Sequence, residues 1–388
     1  GLVPFFSFQT TTTGGKIMDA RPGIENLCCL NSECKFYGQT GRSHLRLRKV
    51  YGADRIRYLR CSACGMEFSE RKGTALFNCK ISEAQAVSVI DHLDRSCGVV
   101  ATAELVGVCK DTVSRLLFVS GRSSRQVHDR TVRGLSPDAL QFDEKWGFVA
   151  KKQRQVTEAD TPGEVGDQWD TVGLDPQSKL VVSLVPGPRT GAVIHQVVAD
   201  AARRLAPEAA LPALFTDGET SYEAAICQVF GRRYRVPRSS QRGRPPKPVL
   251  RIPQALVYAQ VVKHRQGGRV KAVEIRPIFG KSKLPQVLDA LGWNTANTSA
   301  IERFNLTDRM RNGRKARKTL GFSKKRRGHE AMSWLSALRY NFHHPHRSLR
   351  QQNQGGRWGK RTPAMAAGLT DRIWSTIDLL RICPIVLG

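Results

Sequence analysis

The chain has 388 residues, with 62 Lys and Arg against 33 Asp and Glu, a formal charge of +29 and a pI near 10.3. That length allows two or more domains and at least one substantial core, which excludes a peptide or a linker. A positive charge far beyond what solubility needs, gathered in blocks, selects a polyanion as partner, and nucleic acid ranks ahead of an anionic membrane surface.

The opening GLVPFFSFQTTTTGGKIMDA has no initiator Met and no basic stretch before its short apolar patch, so it does not read as a signal peptide. Met18 is expected to be the true start, with residues 1–17 an upstream, disordered extension. On that reading the ten cysteines sit in a reducing cytoplasm rather than in a disulfide framework. No apolar run approaches a membrane span of about 20 residues, and the apolar stretch IDLLRICPIVLG is broken by Arg381, so no membrane partner is expected.

Two cysteine pairs come first, Cys29 with Cys34 in CLNSEC and Cys61 with Cys64 in CSAC. Each pair can form a tight knuckle, and four thiolates complete the closed tetrahedral shell of a structural Zn²⁺. Cys28 and Cys29 both remain candidates for the first ligand, Cys29 giving the shorter knuckle. Between the pairs, HLRLRKVYGADRIRYLR alternates basic and apolar residues, as exposed strands do.

Next come ISEAQAVSVIDHL and ATAELVGVCKDTVSRLLFVSGR. Leu105, Val108, Val113, Leu116 and Leu117 recur at helical spacing, with a break at Gly107 to Lys110 and an N-cap candidate at Asp111. The pattern predicts a helix-turn-helix whose second helix offers Lys110, Thr112, Ser114, Arg115 and later Arg122 to a major groove; an ordinary helical hairpin is the competing reading.

After RGLSP the pattern changes. LQFDEKWGFVAKK predicts a strand, WDTVGLDPQSKLVVSLVPG a strand pair with a Pro turn, TGAVIHQVVADAARRLA a helix, and ALFTDGETSY a short buried strand followed by a helix, an α/β order. Asp143, between Phe142 and Trp146, should be partly buried, which is costly unless its charge is paired or bound to a cation. Asp217 ends the later strand, and Glu302 in NTSAIERFN stands at the head of a region where, from Arg303 to Arg361, the only other acids are Asp308 and Glu330. Asp143, Asp217 and Glu302 could together hold two Mg²⁺ ions about 3.5–4 Å apart, the arrangement used for in-line attack on phosphodiesters. Glu144, Glu219, Asp170 and Asp175 are alternatives that spacing leaves open, although alternation puts Asp143 and Glu144 on opposite strand faces.

LQFDEKW, FTDGETSY and NTSAIERFNLTDRMRNGRKARKTLGFSKK, behind the cysteine module and the helix-turn-helix, resemble the DDE transposases of the insertion sequence 1 family, and YNFHHPHRSL with TPAMAAGL is similar to the closing segment of such transposases and related integrases. The resemblance implies an α/β, RNase H-like catalytic core preceded by a zinc ribbon and a helix-turn-helix, with a basic helical C-terminal tail. It implies a catalytic triad of Asp143, Asp217 and Glu302, a requirement for Mg²⁺ with Mn²⁺ as a substitute, and cleavage of an element's ends followed by joining of the 3′-hydroxyl to target DNA. Double-stranded DNA is the implied partner, with a homo-oligomer assembled on it, in the cytoplasm at the nucleoid. In the family's best-known pattern a frameshift joins the DNA-binding front to the catalytic rear, whereas here the two are continuous. A non-catalytic DNA-binding regulator and a retroviral-type integrase are the rival readings; the four-Cys module disfavours the second.

Between Asp217 and Glu302, RRYRVPRSSQRGRPPKPVLR is expected to be an extended basic insert, in which Arg242 and Arg244 either lie in an A·T-rich minor groove or meet phosphates without reading sequence. Beyond Glu302, Arg309, Arg311, Arg314, Lys315, Arg317 and Lys318 are expected on one helix, with Arg311, Arg314, Lys315 and Lys318 sharing a phosphate-contacting face. His343, His344 and His346 read as helix-end packing or phosphate contacts rather than metal ligands. The expected organisation is an extension at 1–17, a zinc ribbon at 18–78, a helix-turn-helix at 79–135, a catalytic core at 136–322 with a basic insert at about 231–280, and a helical segment at 323–388.

Overall fold

The alternating segment after Cys34 pairs as expected: β1 (Leu45–Tyr51) runs antiparallel to β2 (Ile56–Cys61), and β3 (Glu67–Ser69) joins the far side of β2. Leu45, Leu59 and Phe68 turn inward against Cys29, Cys34 and Cys61, while Arg46, Arg48 and Lys49 stay in water. These details come from a computed structural model that describes residues 21–234, 247–352 and 355–387; the expected extension at 1–17 and both Arg242 and Arg244 lie outside them.

Three helices follow. A reciprocal capping box between Ser82 and Gln85 starts α1 (Glu83–Leu93), and α2 (Val99–Val106) ends on Gly107, whose left-handed φ of 69° a side chain would strain. Then α3 (Lys110–Thr131) runs for 22 residues. It begins with the Val113 amide donating to the Cys109 carbonyl at 3.2 Å, so Asp111 is not the cap and sits in the first turn, where its charge suits the helix dipole. Val113, Leu116 and Leu117 are buried as expected, but Leu105 is 65% exposed, because the Gly107 turn breaks the phase on which its spacing was read.

The middle of the chain builds a second unit around a six-stranded sheet. In chain order it comprises β4 (Ala139–Val149), β5 (Gly166–Leu174), β6 (Val181–Gly187), α4 (Gly191–Arg203), β7 (Ala213–Thr216), α5 (Ser221–Phe230), the small pair β8 (Arg232–Tyr234) and β9 (Val249–Arg251), then β10 (Tyr258–Gln266), β11 (Arg269–Phe279), α6 (Leu284–Ala290) and α7 (Ser299–Arg311). The sheet order is β11-β10-β7-β4-β5-β6, with β4, β7 and β10 parallel and the other neighbours antiparallel. The insert expected to run to about residue 280 is shorter in structural terms. The apolar run Leu256 to Ala259 is buried, and β10 pairs with β7 inside the sheet, so the second half of that segment belongs to the core.

A buried ionic chain braces this unit. Lys145 on β4 pairs with Asp308 near the end of α7 and, at 3.6 Å, with Asp170 on β5; Asp170 in turn accepts from Lys315 at 2.6 Å, and all four side chains are at most 4% exposed. Burial drags the Lys315 amine down to about 8, and the Asp170 carboxylate opposes that drop.

The segment expected as a basic tail is instead a structural member of the front unit. Among the described residues, that unit comprises those up to Thr131, Met310–Gly313 and those from Arg326 on, while those of Val132–Arg309 and Arg314–Lys325 form the second. Within it α8 (Arg326–Phe342) packs on α3 so closely that a Cβ on Gly121 would lie 2.5 Å from the Ala331 backbone. After α9 (Pro363–Ala366), Arg381 at the end of α10 (Thr376–Arg381) donates to Glu83 on α1.

Removing Lys315 from the buried ionic chain leaves Asp170 only its longer contact with Lys145. Lys315→Met is expected to lower unfolding stability by about 3 kcal/mol in urea denaturation, and adding Asp170→Asn to recover most of it, because Lys145 keeps Asp308.

Candidate active site and metal centre

The four cysteines singled out by spacing converge. All four sulfurs lie within 4.8 Å of one another, with Cys29 to Cys64 at 3.6 Å and Cys34 to Cys61 at 3.8 Å. A tetrahedron with Zn–S bonds of about 2.3 Å has edges of about 3.8 Å, which these two separations match. Cys29 is the member of the set, whereas Cys28 faces Cys383. The Met66 amide pulls the Cys64 thiol down to about 6, while burial pushes Cys29 up to about 12; thiols this close cannot all ionise until a cation joins them.

In the second unit, parallel pairing of β4 with β7 matches Gln141 to Phe215, which sets Asp143, in the middle of β4, level with Asp217, just past the end of β7. Carboxylate oxygens of Asp143, Glu144 and Asp217 lie within 4.8 Å of one another. They open into a cavity of about 670 Å³ that Glu302, in the first turn of α7, also lines. The structure therefore brings Asp143 and Asp217 together as expected and adds Glu144. Strand alternation does turn Glu144 to the other face, toward Arg189, but its longer side chain still ends beside the two aspartates. Glu302 is not in that close cluster; its Oε1 accepts from Thr298 at 2.5 Å and from Lys263.

Burial first, then the Asp217 and Glu144 charges, push the Asp143 carboxyl up to about 7. Burial likewise raises Glu144. Asn305, one helical turn after Glu302, donates to Asp143 Oδ2 at 2.8 Å and fixes its orientation. Arg189 bridges Glu144 at 3.1 Å and Glu219 at 3.0 Å and lies over the Trp169 ring; the Glu219 amide in turn donates to Asp217. Sequence reasoning missed Asn305 and Arg189. The spacing from Glu302 to Asn305 was a usable signal, whereas nothing local marked Arg189. Of the other candidate acids, Asp170 is used by Lys145 and Lys315, and Asp175 accepts from the Ser178 hydroxyl in the β5–β6 turn.

The expected basic helical face does not form. The helix stops at Arg311, and a 3₁₀ turn over Gly313–Lys315 interrupts its phase. Lys315 is buried against Asp170, Arg311 reaches Asp94 and His344, Arg314 is half-buried, and Lys318 is exposed. Arg309 and Arg317 line the acidic cavity instead, and the Arg309 Nε is buried with no hydrogen-bond partner among the described residues. On α3, Lys110 and Arg115 are exposed and Thr112 and Ser114 half-buried, with Arg115 donating to the Asn78 and Phe77 carbonyls. His343 bonds the Trp374 carbonyl and His344 bonds Asp94, which is the packing role expected of them.

No family model and no curated protein matches the chain. Among solved structures it is similar to a pre-cleavage Mos1 transpososome, at 15% identity and a TM-score of 0.17 over 38% of this chain and 57% of that one. It is similar also to a Mos1 strand transfer complex, at 17% identity and a TM-score of 0.16 over 38% of this chain and 54% of that one. The chain thus spans little more than half the length of either neighbour, and a functional reading rests on the site itself.

Two outcomes follow. Purified protein should carry one zinc per chain by elemental analysis, and Cys61→Ser should abolish it and lower the melting temperature of the front unit. In chelator, folded Asp143 keeps a proton that the unfolded chain releases at its ordinary value of 3.8. Stability should therefore decline from about pH 4 to about pH 7, by up to about 4 kcal/mol from this group, and Asp143→Asn should flatten that decline in pH-resolved denaturation.

Proposed function

We propose that the chain is a DNA transposase of the DDE type, resembling the insertion sequence 1 family, that cleaves the ends of an element and joins them to target DNA. The observation that carries this reading is the placement of the acids: Asp143 within β4, level with Asp217 just past the end of the adjacent parallel β7, and Glu302 entering the same cavity from a later helix. The strand order β6-β5-β4-β7-β10, antiparallel through β4 and parallel beyond it, is that of an RNase H-like core and supports the same reading.

Asp143, Glu144, Asp217 and Glu302 would hold divalent cations, Mg²⁺ or Mn²⁺, since carboxylate oxygen is the donor these ions take. When bound, such ions activate the attacking oxygen and stabilise the leaving one. The chain supplies the rest. In the first step a water oxygen bonds to the scissile phosphorus and gives up a proton, the bond from phosphorus to the 3′-oxygen breaks, and that oxygen leaves with the electron pair and takes up a proton as a free 3′-hydroxyl. In the second step the hydroxyl oxygen attacks a target phosphorus, loses its proton, and displaces a 3′-oxygen of the target. Asn305 keeps the Asp143 carboxylate aimed into the cavity, and the Arg189 bridge fixes Glu144 and the turn that carries Asp217. Arg309, desolvated and facing the cavity, offers its charge to the phosphoryl oxygens.

The four-Cys module reads as a zinc ribbon, and with α1 to α3 as a helix-turn-helix it would recognise the element ends, Lys110 and Arg115 meeting the duplex. Joining two ends calls for a homo-oligomer on DNA. The test is nicking of supercoiled DNA carrying the element's ends. Wild type should nick in Mg²⁺, and Asp143→Asn and Glu302→Gln should each lower the rate at least about 1,000-fold while DNA binding persists. Binding without nicking in all three would mark the chain as a non-catalytic DNA-binding regulator.

A further inference from the structure

We propose that Lys263 is a phosphate-contacting residue of this site, parked on Glu302 while the acids lack a cation and released to the DNA backbone when Glu302 turns to one. The inference rests on the reading of the cavity as a divalent-cation phosphoryl-transfer site. Its first support is topological. β10 pairs with β7 only over Tyr258–Gln260, so beyond Gln260 the β10–β11 ribbon leaves the sheet as a two-stranded arm that turns at Gly267 and Gly268. Lys263 and Arg265, two residues apart on that arm, line the acidic cavity, while His264 between them pairs with Glu274 across the ribbon.

The second support is the ion pair itself. The Lys263 ammonium sits on Glu302 Oε1, and the two side chains are 27% and 44% exposed. An ion pair in contact with water contributes little, so a divalent cation with several carboxylate ligands out-competes it. The third support is charge balance. The cavity lining holds five acids and five Lys or Arg, so it is formally neutral, and a divalent cation makes it positive as a phosphodiester arrives. A lysine freed at that moment lies within a side chain's length of the cation site, where its compact charge suits a phosphate oxygen.

Two binding measurements test this. Mn²⁺ titrated into DNA-free protein and followed by electron paramagnetic resonance should bind Lys263→Met about 3- to 10-fold more tightly than wild type, because the competitor for Glu302 is gone, and should bind Glu302→Gln more weakly. For a 40-base-pair duplex, the slope of log affinity against log salt should be the same for Lys263→Met and wild type in EDTA. In Ca²⁺ it should be shallower by about 0.9 in the variant, the share of one phosphate contact. Unchanged Mn²⁺ affinity in Lys263→Met, or equal slopes in Ca²⁺, overturns the role of Lys263 while leaving the cation site standing if Glu302→Gln still weakens Mn²⁺. Mn²⁺ affinity indifferent to Glu302→Gln overturns the cation site and this inference with it.

Discussion

Carboxylates brought together where β7 ends beside the middle of β4 repel one another, and much of the second unit answers that repulsion. Parallel pairing forces the approach of Asp143 and Asp217, and burial raises its cost. Without a cation the site settles the debt locally. Asp143, pushed up to about 7 by burial, keeps a proton below that pH, Arg189 lies across Glu144 and Glu219, and Lys263 takes Glu302. Each of these is a monovalent stand-in at a place where a divalent ion would do more.

The same electrostatics explains why the scaffold must be stiff. A carboxylate pair relaxes by moving apart unless both members are fixed. The chain Asp308, Lys145, Asp170 and Lys315 ties the end of α7 to β4 and β5, and Asn305 on the same helix holds Asp143 directly. One helix therefore carries the third acid, a bond to the first, and the anchor that sets its own position.

Much of this was legible in the residues, for reasons that can be separated. The four cysteines converge as their spacing suggests because ligand spacing is a local property, and the strands around Asp143 and Asp217 form as expected because an apolar run beside a turn is local too. Spacing leaves Glu144 open, since alternation separates it from Asp143 at the Cα and is silent about the reach of a longer side chain. Arg189 and Lys263 come from a loop and an arm whose relation to the acids exists only after the sheet is assembled. The basic face after Glu302 failed for a different reason: helical phase was extended through Asn312 and Gly313, where the chain abandons the α-helix, and Lys315 was needed inside. Leu105 failed in the same way at Gly107.

The close crossing of α3 and α8 at Gly121 bears on how the protein is made. Leu116 and Leu117 on α3 share a core with Met332 and Leu335, which follow them by more than two hundred positions. During synthesis the first three helices leave the ribosome with that apolar face uncovered, and they wait through translation of the whole six-stranded sheet before α8 arrives to close it. Any shortened product that ends ahead of α8 keeps Lys110 and Arg115 but lacks the helix that buries the underside of α3. A stable front unit is thereby coupled to completion of the chain.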